Sequence, residues 1–368
     1  MADTLESIGQ EVHFLYLQQP LWNSDVSMQQ HWQERLHVFR GLAPASFIHR
    51  LKRKLLRISG RTFGLNLSVD SYFDPACARY LDRVLAQHQF DVVIVSYIFY
   101  SRLLEILPDS VLKVIDTHDV FSDRYRLYRE HGQPGEFFST GRVEEAKALE
   151  RADAVLAMQE KDQSHFASLT SKPVRVVGHL AQTVPNVLSD EPLSGNGILF
   201  VGGPMRINVH GVTWFIDHVL PGVRGAVPDA ELWLVGGISD QIRGRIAGVR
   251  RFGFIDDLGD SYRKAAVVIN PQQFGTGLSI KSIEALQYGR PLVTTQSGAR
   301  GLEEADGSAL LTAGSADEFR DLIIRLLRSP TSRSTLGRAA AEFARRYYQR
   351  NVESLAGLVN SAISRRSS

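Results

Sequence analysis

The sequence of 368 residues predicts an α/β protein with two domains, each built on a doubly wound parallel sheet. Short apolar strands alternate with helical segments through most of the chain, a pattern typical of parallel sheets covered by helices. The stretch 178–196 interrupts this alternation with Pro, Ser and polar residues, which favour a linker. It separates two parts of similar size, and a chain of this length accommodates two domains.

The predicted strands are short and apolar. They are Val12–Leu17, Val92–Ser96, Val111–Asp116, Ala154–Ala157, Val174–Val177, Ile198–Gly202, Leu232–Gly236, Val249–Phe252, Val267–Asn270, Leu292–Thr295 and Ala309–Leu311. At the start of the chain, a helix is expected over Thr4–Ile8, with Gly9 ending it. From Pro330 to Ile363 no strand pattern occurs, and Ser329 before Pro330 suits a helix start.

The composition indicates a soluble globular protein, with 43% apolar and 22% charged residues. Cys77 is the only cysteine, so neither a disulfide framework nor a cysteine metal site is expected. Apolar runs such as Val92–Tyr100 are shorter than the roughly 20 residues of a membrane-spanning helix. The N-terminus lacks a signal-peptide pattern. We therefore expect a cytoplasmic protein.

The net charge is only +2, but residues 49–57 contain five Lys or Arg. Leu51, Leu55 and Ile58 share one helical face of this segment. Such a helix can lie peripherally on the anionic inner face of the cell membrane or meet an anionic acceptor. The alternative is a solvated surface helix with a few core leucines. The basic segment is short and has no interleaved aromatic residues, so nucleic-acid binding is not expected.

The stretch 266–301 has the most informative pattern: a strand, a glycine-containing loop, a helix and a second strand. A loop that feeds a helix N-terminus presents unpaired backbone N–H groups and the positive end of the helix dipole, which together attract an anion. Glu284 follows one to two turns later, where a carboxylate can accept two sugar hydroxyls. The pattern predicts a nucleoside diphosphate at the carboxyl edge of a parallel sheet.

This stretch resembles the donor-binding signature of GT-B glycosyltransferases, in particular the retaining family 4. The resemblance rests on Gly275, Gly277, Glu284 and the segment Gly289–Val293. Thr276 stands where many members have a second acidic residue, which we interpret as a variant of the signature. The resemblance implies two Rossmann-like domains that face each other across a cleft.

The resemblance also implies a division of the chain. We expect an acceptor-side domain over 1–180, a linker over 181–196, a donor domain over 197–340 and a final helix over 341–368 that returns to the first domain. Members usually open with a strand and a glycine loop before the first helix. Neither pattern is found here, so we expect either a truncated start or a rearranged N-terminal sheet, with a sheet edge left uncovered.

Candidate residues of the first domain follow the strand Val111–Asp116. In the family a His-Asp pair there points at the transferred sugar, and His118 and Asp119 match it. Polar groups at the carboxyl end of a parallel strand lie at the crevice, and histidine can orient a hydroxyl or stabilise charge. Alternatively, the acidic residues cap a helix and His118 is structural.

Candidate diphosphate contacts lie on two elements of the second domain. Gly202 and Gly203, in the turn after the first strand, permit close approach of a phosphate, although a tight turn explains them equally well. The resemblance implies an Arg or Lys nearby, for which Arg206 is the candidate. His210 occupies roughly the position of a second cation, a Lys, which Lys281 could replace. The remaining implied contacts are the backbone amides of Ser279 and Ile280.

The sugar would lie against the loop Gly275, Thr276, Gly277 and Leu278, and the base against Phe254 and Ile255. Asp256 or Asp257 could instead cap the following helix, expected over Leu258–Ala265. In the expected helix Glu136–Ala152, the carboxylates Glu144, Glu145 and Glu150 are predicted to face solvent.

The resemblance implies a retaining glycosyltransferase that moves a hexose from a nucleotide-diphosphate sugar to a glycan or lipid-linked acceptor, as in surface polysaccharide biosynthesis. No Asp-x-Asp pair and no metal-ligand spacing occur, so neither a metal nor another cofactor is expected. Two alternatives stay open: a nucleotide-sugar epimerase of the same fold, and a non-catalytic GT-B partner or scaffold.

Overall fold

The computed structural model describes residues 1–18, 25–40, 66–180 and 195–366. The chain divides into two compact units, and each is described by itself. Unit 1 comprises Met1–Arg129, Phe137–Leu180 and Val352–Ser368, and unit 2 comprises Glu130–Glu136 and Ala181–Asn351. The basic segment 49–57 and residues 181–194 of the expected linker lie outside the described residues.

Twelve strands are formed by the described residues: β1 Phe14–Leu17, β2 Leu36–Phe39, β3 Val92–Ser96, β4 Leu112–Asp116, β5 Ala154–Ala157, β6 Val174–Val176, β7 Gly197–Val201, β8 Glu231–Val235, β9 Val249–Gly253, β10 Val267–Asn270, β11 Leu292–Thr295 and β12 Leu311–Ala313. The α-helices are α1 Ala2–Ser7, α2 Asp25–Trp32, α3 Pro75–Gln87, α4 Arg124–Glu130, α5 Arg142–Glu150, α6 Glu160–Ala167, α7 Arg206–His218, α8 Leu220–Ala226, α9 Gly259–Lys264, α10 Ile280–Gln287, α11 Ala316–Arg328 and α12 Pro330–Arg366. None of these helices is long and apolar enough to cross a lipid bilayer.

Unit 2 contains a six-stranded parallel sheet in the order β12-β11-β10-β7-β8-β9. Counted within the unit, this is the doubly wound order in which the chain reverses direction between its first and fourth strands. The reversal falls between β7 and β10. Ligands of such sheets bind beyond the carboxyl ends of the strands at this point, so a ligand of unit 2 is expected beside the turns after β7 and β10.

Unit 1 contains two parallel sheets, β1-β2 and β3-β4-β5-β6. Among the described strands, β1 pairs only with β2, and β3 has β4 as its only partner. Placing β1 and β3 on either side of one open strand position would give a doubly wound order. A largely apolar cavity of about 750 Å³ is lined by side chains of both strands, including Leu15, Leu17, Val93 and Val95.

Most predicted strands agree with the structure to within two residues, and the last one is displaced to Leu311–Ala313. Strand β2, Leu36–Phe39, was missed. The expected helix over 136–152 is only Arg142–Glu150, and that over 258–265 is Gly259–Lys264. Gly9 ends α1 with a φ of +85°, and its neighbour Gln10 donates its amide to the carbonyl of Leu5.

The start of α12 also agrees with the sequence pattern. The hydroxyl of Ser329 accepts the amide of Ser332, and Pro330 occupies the first helical position. The C-terminal part of α12 belongs to unit 1, where Leu355 and Leu358 pack against Val114 and Leu156. One helix is therefore shared by the two units.

The prediction that Glu145 faces solvent is wrong. Its side chain is fully buried and accepts hydrogen bonds from the amide of Phe121 at 2.8 Å, from the hydroxyl of Ser122, and from Nε2 of His165 at 2.7 Å. Residues 121 and 122 continue the loop that leaves β4. The buried carboxylate holds that loop, which the helical pattern of α5 could not reveal.

Replacing Glu145 with Ala should destabilise unit 1 by about 3 kcal/mol, because the change leaves several buried donors unpaired. Chemical denaturation followed by circular dichroism measures the loss. Asp82→Ala removes an exposed carboxylate of the same unit and should change the unfolding free energy by less than about 0.5 kcal/mol. Equal effects of the two substitutions would contradict the structural role of Glu145.

Candidate functional site

The loop between β10 and α10 needs its glycines. Gly275 has a φ of +150° and Gly277 a φ of +72°, values that other residues rarely adopt. A Cβ at Gly275 would lie 2.3 Å from Nε2 of Gln272 and 2.9 Å from Cδ1 of Ile207. The loop therefore packs tightly against the first turn of α7, which follows β7.

The side chain of Asn270, the last residue of β10, organises the start of α10. It is fully buried, and its Nδ2 lies 2.8 Å from the hydroxyl of Ser279 and 2.9 Å from that of Ser282. The Ser282 hydroxyl donates to the carbonyl of Gly298 at 2.7 Å. A Cβ at Gly298 would lie 2.6 Å from the same Nδ2. Three segments thus meet around one amide group.

The N-terminus of α10 is uncapped. Ser279 occupies the N-cap position, but its side chain accepts no hydrogen bond from the helix. Its hydroxyl instead accepts a hydrogen bond from Nδ2 of Asn270. The first amides of the helix, including that of Ile280, keep their positive character directed away from the helix. The helix has eight residues. Its uncapped N-terminal amides suit an anion such as a phosphate.

Lys281 and Glu284 lie on adjacent turns of α10. Burial lowers the pKa of the Lys281 ammonium to about 8, against the opposing effect of the Glu284 charge. Burial also raises the pKa of Glu284 above its usual value, and this rise is opposed by a hydrogen bond from the Tyr262 hydroxyl and by the Lys281 charge. The Tyr262 hydroxyl lies 3.4 Å from Oε2 of Glu284, and its ring stacks on that of Tyr288 at 4.2 Å.

The turn after β7 approaches the same region. Nζ of Lys281 lies 5.9 Å from the centre of the Phe200 ring, and a Cβ at Gly202 would lie 2.8 Å from an atom of that ring. Gly203 is exposed and has open space around it. The structure therefore brings Gly202 and Lys281 to the Phe200 ring, at the point where the strand order reverses.

Arg206 opens α7 with an exposed side chain. Its backbone amide donates to Oε2 of Glu136 at 3.1 Å, so a carboxylate already occupies part of this helix terminus. Both residues line a cavity of about 600 Å³ together with His210 and Trp214. Burial, reinforced by His131, lowers the pKa of His210, so His210 is a poor substitute for a permanent cation.

The expected base contacts differ in exposure. The Phe254 ring is 83% exposed, whereas Ile255 packs partly buried against the core of unit 2. Oδ1 of Asp257 accepts the amide of Gly259, the first residue of α9, at 2.7 Å. Asp257 therefore binds the first amide of α9 from the residue before the N-cap, Leu258. The expected contact of Phe254 with a base stays a prediction.

His118 belongs to unit 1 and follows β4. Its Nε2 lies 3.1 Å from Oδ2 of the buried Asp116, and its ring centre lies 4.4 Å from that of Tyr97. The backbones of His118 and Tyr97 have φ values of +59° and +71°. Such conformations are costly outside glycine and concentrate at functional sites. They occur here at the carboxyl ends of the neighbouring strands β3 and β4.

Asp119 is held by contacts within unit 1. Its Oδ1 accepts the amide of Val120 at 2.9 Å, and its Oδ2 pairs with the buried guanidinium of Arg124. The carboxylate therefore fixes the loop after His118. Its expected direct contact with a sugar stays a prediction.

The sequence reasoning missed four residues that shape these sites: Asn270, Tyr262, Glu136 and Tyr97. Each acts through a contact between segments distant in sequence. The only sequence signal was the position of Asn270 and Tyr97 at or just beyond a strand end, because polar groups there lie at the crevice of a doubly wound sheet.

Thr276 and Ser297 supply a further indication of a ligand. Oγ1 of Thr276 and Oγ of Ser297 are buried without a hydrogen-bond partner, as is Oδ1 of Asn270. Buried polar atoms in proteins are nearly always hydrogen-bonded. Several unsatisfied atoms around one loop are therefore expected where a polar ligand binds.

Comparison with known proteins supports the identity of this region. The sequence model of the family described as "Glycosyl transferases group 1" matches residues 195–329. An uncharacterized 44.6 kDa protein in the cps region of Klebsiella pneumoniae is 24% identical over 190 residues, which are 48% of this chain and 49% of that protein. The match thus spans about half the length of that relative.

Solved structures share the fold at low sequence identity. Sucrose-phosphate synthase from Thermosynechococcus elongatus superposes with a TM-score of 0.63 and 18% identity, covering 79% of this chain and 78% of that one. HepE from Anabaena in complex with UDP has a TM-score of 0.61 and 16% identity, covering 96% and 100%. HepE has also been solved in complex with UDP-glucose, with a TM-score of 0.55, 16% identity and a coverage of 94% and 100%.

These similarities agree with the doubly wound sheet of unit 2 and with the incomplete one of unit 1. The chain therefore has the GT-B fold, and residues 195–329 match the family model described as "Glycosyl transferases group 1".

Proposed function

We propose that the protein is a retaining glycosyltransferase that takes a hexose from a nucleotide-diphosphate sugar. The observation that carries this proposal is the uncapped N-terminus of α10, with Lys281 and Glu284 on its first turns. The amides and the ammonium group suit a diphosphate, and the carboxylate suits the ribose hydroxyls. UDP is the first nucleotide to test, because HepE, a relative in fold, binds it.

Catalysis would consist mainly in stabilising the leaving diphosphate. In a front-face substitution, the bond from the anomeric carbon to the diphosphate oxygen breaks as the acceptor oxygen bonds on the same side. The acceptor proton passes to the departing phosphate oxygen, so no separate base is needed. The amides at Ser279 and Ile280, with Lys281 and Arg206, would stabilise the negative charge without a metal ion.

The other contacts complete a donor site in this proposal. The hydroxyl of Thr276 and the backbone of Gly275, Gly277 and Leu278 would face the sugar, whereas Phe254 and Ile255 would contact the base. His118 would orient the sugar. The similarity to a protein in a cps region supports a glycan or lipid-linked acceptor of surface polysaccharide synthesis.

Glu284→Gln should weaken UDP binding about tenfold or more, because hydrogen bonds to a charged acceptor contribute about 1.5–3 kcal/mol. Isothermal titration calorimetry measures the dissociation constant. Glu342→Gln removes an exposed carboxylate of α12 and should leave the affinity unchanged. Equal affinities of Glu284→Gln and the wild type would exclude Glu284 from the ribose site.

The pH dependence of UDP affinity tests Lys281. Its pKa is lowered to about 8 in the ligand-free protein, so the side chain is charged below this pH and becomes neutral above it. A diphosphate prefers the charged form, so affinity should fall above pH 8 by up to about tenfold per pH unit. Lys281→Arg stays charged and should remove this slope. The same decline in both proteins would contradict a contact between Lys281 and the diphosphate.

His118→Ala should lower turnover about 100-fold, the scale of a loss in substrate positioning, with little change in donor affinity. The readouts are hydrolysis of UDP-glucose, or transfer once an acceptor is found, and the dissociation constant for UDP. His31→Ala changes an exposed histidine of unit 1, the unit that contains His118, and serves as the control. Unchanged turnover in His118→Ala would remove it from the reaction.

A further inference from the structure

Three histidines from three elements of unit 1 converge: His13 immediately precedes β1, His37 lies in β2, and His88 follows α3. One ring nitrogen from each lies within 4.8 Å of the others. No pattern in the sequence indicates this cluster, because the positions are far apart and follow no metal-binding spacing.

Sheet register explains part of the convergence. Leu15 pairs with His37 in the parallel β1–β2 pair, and residues two apart on a strand share a face. His13 and His37 therefore lie on the same face. The extended backbone after α3 carries His88 to them, and its ring centre lies 4.7 Å from that of His13 and 5.3 Å from that of His37.

We propose that His13, His37 and His88 bind a divalent transition metal, with Zn²⁺ as the preferred ion. Zinc is bound by imidazole nitrogens at about 2.0–2.1 Å, which separates two ligand nitrogens of a tetrahedral site by about 3.3 Å. Nδ1 of His13 and Nε2 of His37 are 3.0 Å apart, close to that separation. Small rotations of the rings complete the site, and a water molecule takes the fourth position.

Glu11 provides an independent indication. Its Oε1 lies 3.3 Å from Nε2 of His13, the nitrogen opposite the one that faces His37. A carboxylate that accepts this N–H leaves the lone pair of a neutral ring on Nδ1, where the metal would bind. This is the arrangement in which a carboxylate orients a metal-binding histidine. The C-terminal end of α3, just before His88, adds a favourable dipole for a cation.

The site has a structural consequence for unit 1. The β1–β2 pair shares no backbone hydrogen bonds with the β3–β6 sheet among the described strands. His13 and His37 belong to the first sheet, and His88 leads into β3. A metal bound by all three would link the two sheets beside the open strand position. His13 and His37 lie at the amino ends of β1 and β2, whereas His118 follows the carboxyl end of β4.

A second group, Asp3, Glu6 and His31, also brings possible ligands together. Glu6, however, is paired with Arg35 at 2.5 Å, and His31 lies 3.6 Å from the largely exposed Asp3. A cation there would compete with a guanidinium. This group supplies the matched control for the histidine cluster.

The test is metal binding by the full chain after removal of metals with a chelator. Titration with Zn²⁺, with bound metal measured by mass spectrometry, should give one equivalent per chain and raise the melting temperature. Co²⁺ should give the intense visible absorption of four- or five-coordination. His37→Gln and His88→Gln should abolish both signals, whereas His31→Gln should behave as wild type.

Glu11→Gln tests the site even if the histidine variants misfold, because the Glu11 side chain is 79% exposed and its replacement should not disturb folding. It should keep the stoichiometry and weaken Zn²⁺ affinity about 10–100-fold, with an unchanged circular dichroism spectrum. Absence of bound metal in the wild type, loss of binding in His31→Gln alone, or undiminished affinity in both His37→Gln and His88→Gln would overturn the proposal.

Discussion

The loop between β10 and α10 and the start of that helix depend on the hydrogen bonds of one buried side-chain amide. Nδ2 of Asn270 engages the hydroxyls of Ser279 and Ser282. Without this contact, the Ser279 hydroxyl would be free to accept an amide of α10 and close its N-terminus. The buried amide thus keeps the N-terminus of α10 without a side-chain cap and fixes the loop at Gly298 beside it. The helix has no side-chain cap at the end where an anionic ligand could accept hydrogen bonds from its first amides.

The charges around this terminus also reflect a balance between stability and binding. Lys281 is held in surroundings that lower its pKa to about 8, which disfavours its charged form in the absence of a ligand. The negative charge of a bound diphosphate would stabilise the charged form of the Lys281 ammonium group. Stored electrostatic cost of this kind is typical of functional sites. In unit 1, the positive φ angles of Tyr97 and His118 are a backbone counterpart.

Much of the fold followed from the sequence because apolar strands and glycine loops are local signals. The strands β3, β5, β10 and β11 agree with the predicted bounds. The short β2 was missed since its four residues stand between polar segments without a long apolar run. Glu145 looked like a surface residue of a polar helix, yet three donors from other segments surround it.

The candidate site was predictable only in part. Glycine loops and the helix with Lys281 and Glu284 are local, and the sequence pattern identified them. Asn270, Tyr262 and the three-histidine cluster depend on which strands become neighbours, and no spacing along the chain encodes that. The cavity between β1 and β3 likewise depends on how the strands are arranged, and its lining is largely apolar.

The most direct test of the central claim is the melting temperature of the purified protein with UDP, GDP, ADP, dTDP or CDP, each with and without a divalent metal. A ligand at 100 times its dissociation constant stabilises the folded state by about 2.7 kcal/mol. We predict that one nucleoside diphosphate raises the melting temperature without metal, and that Lys281→Met reduces the rise. No shift with any of the five nucleotides would contradict a donor site at α10.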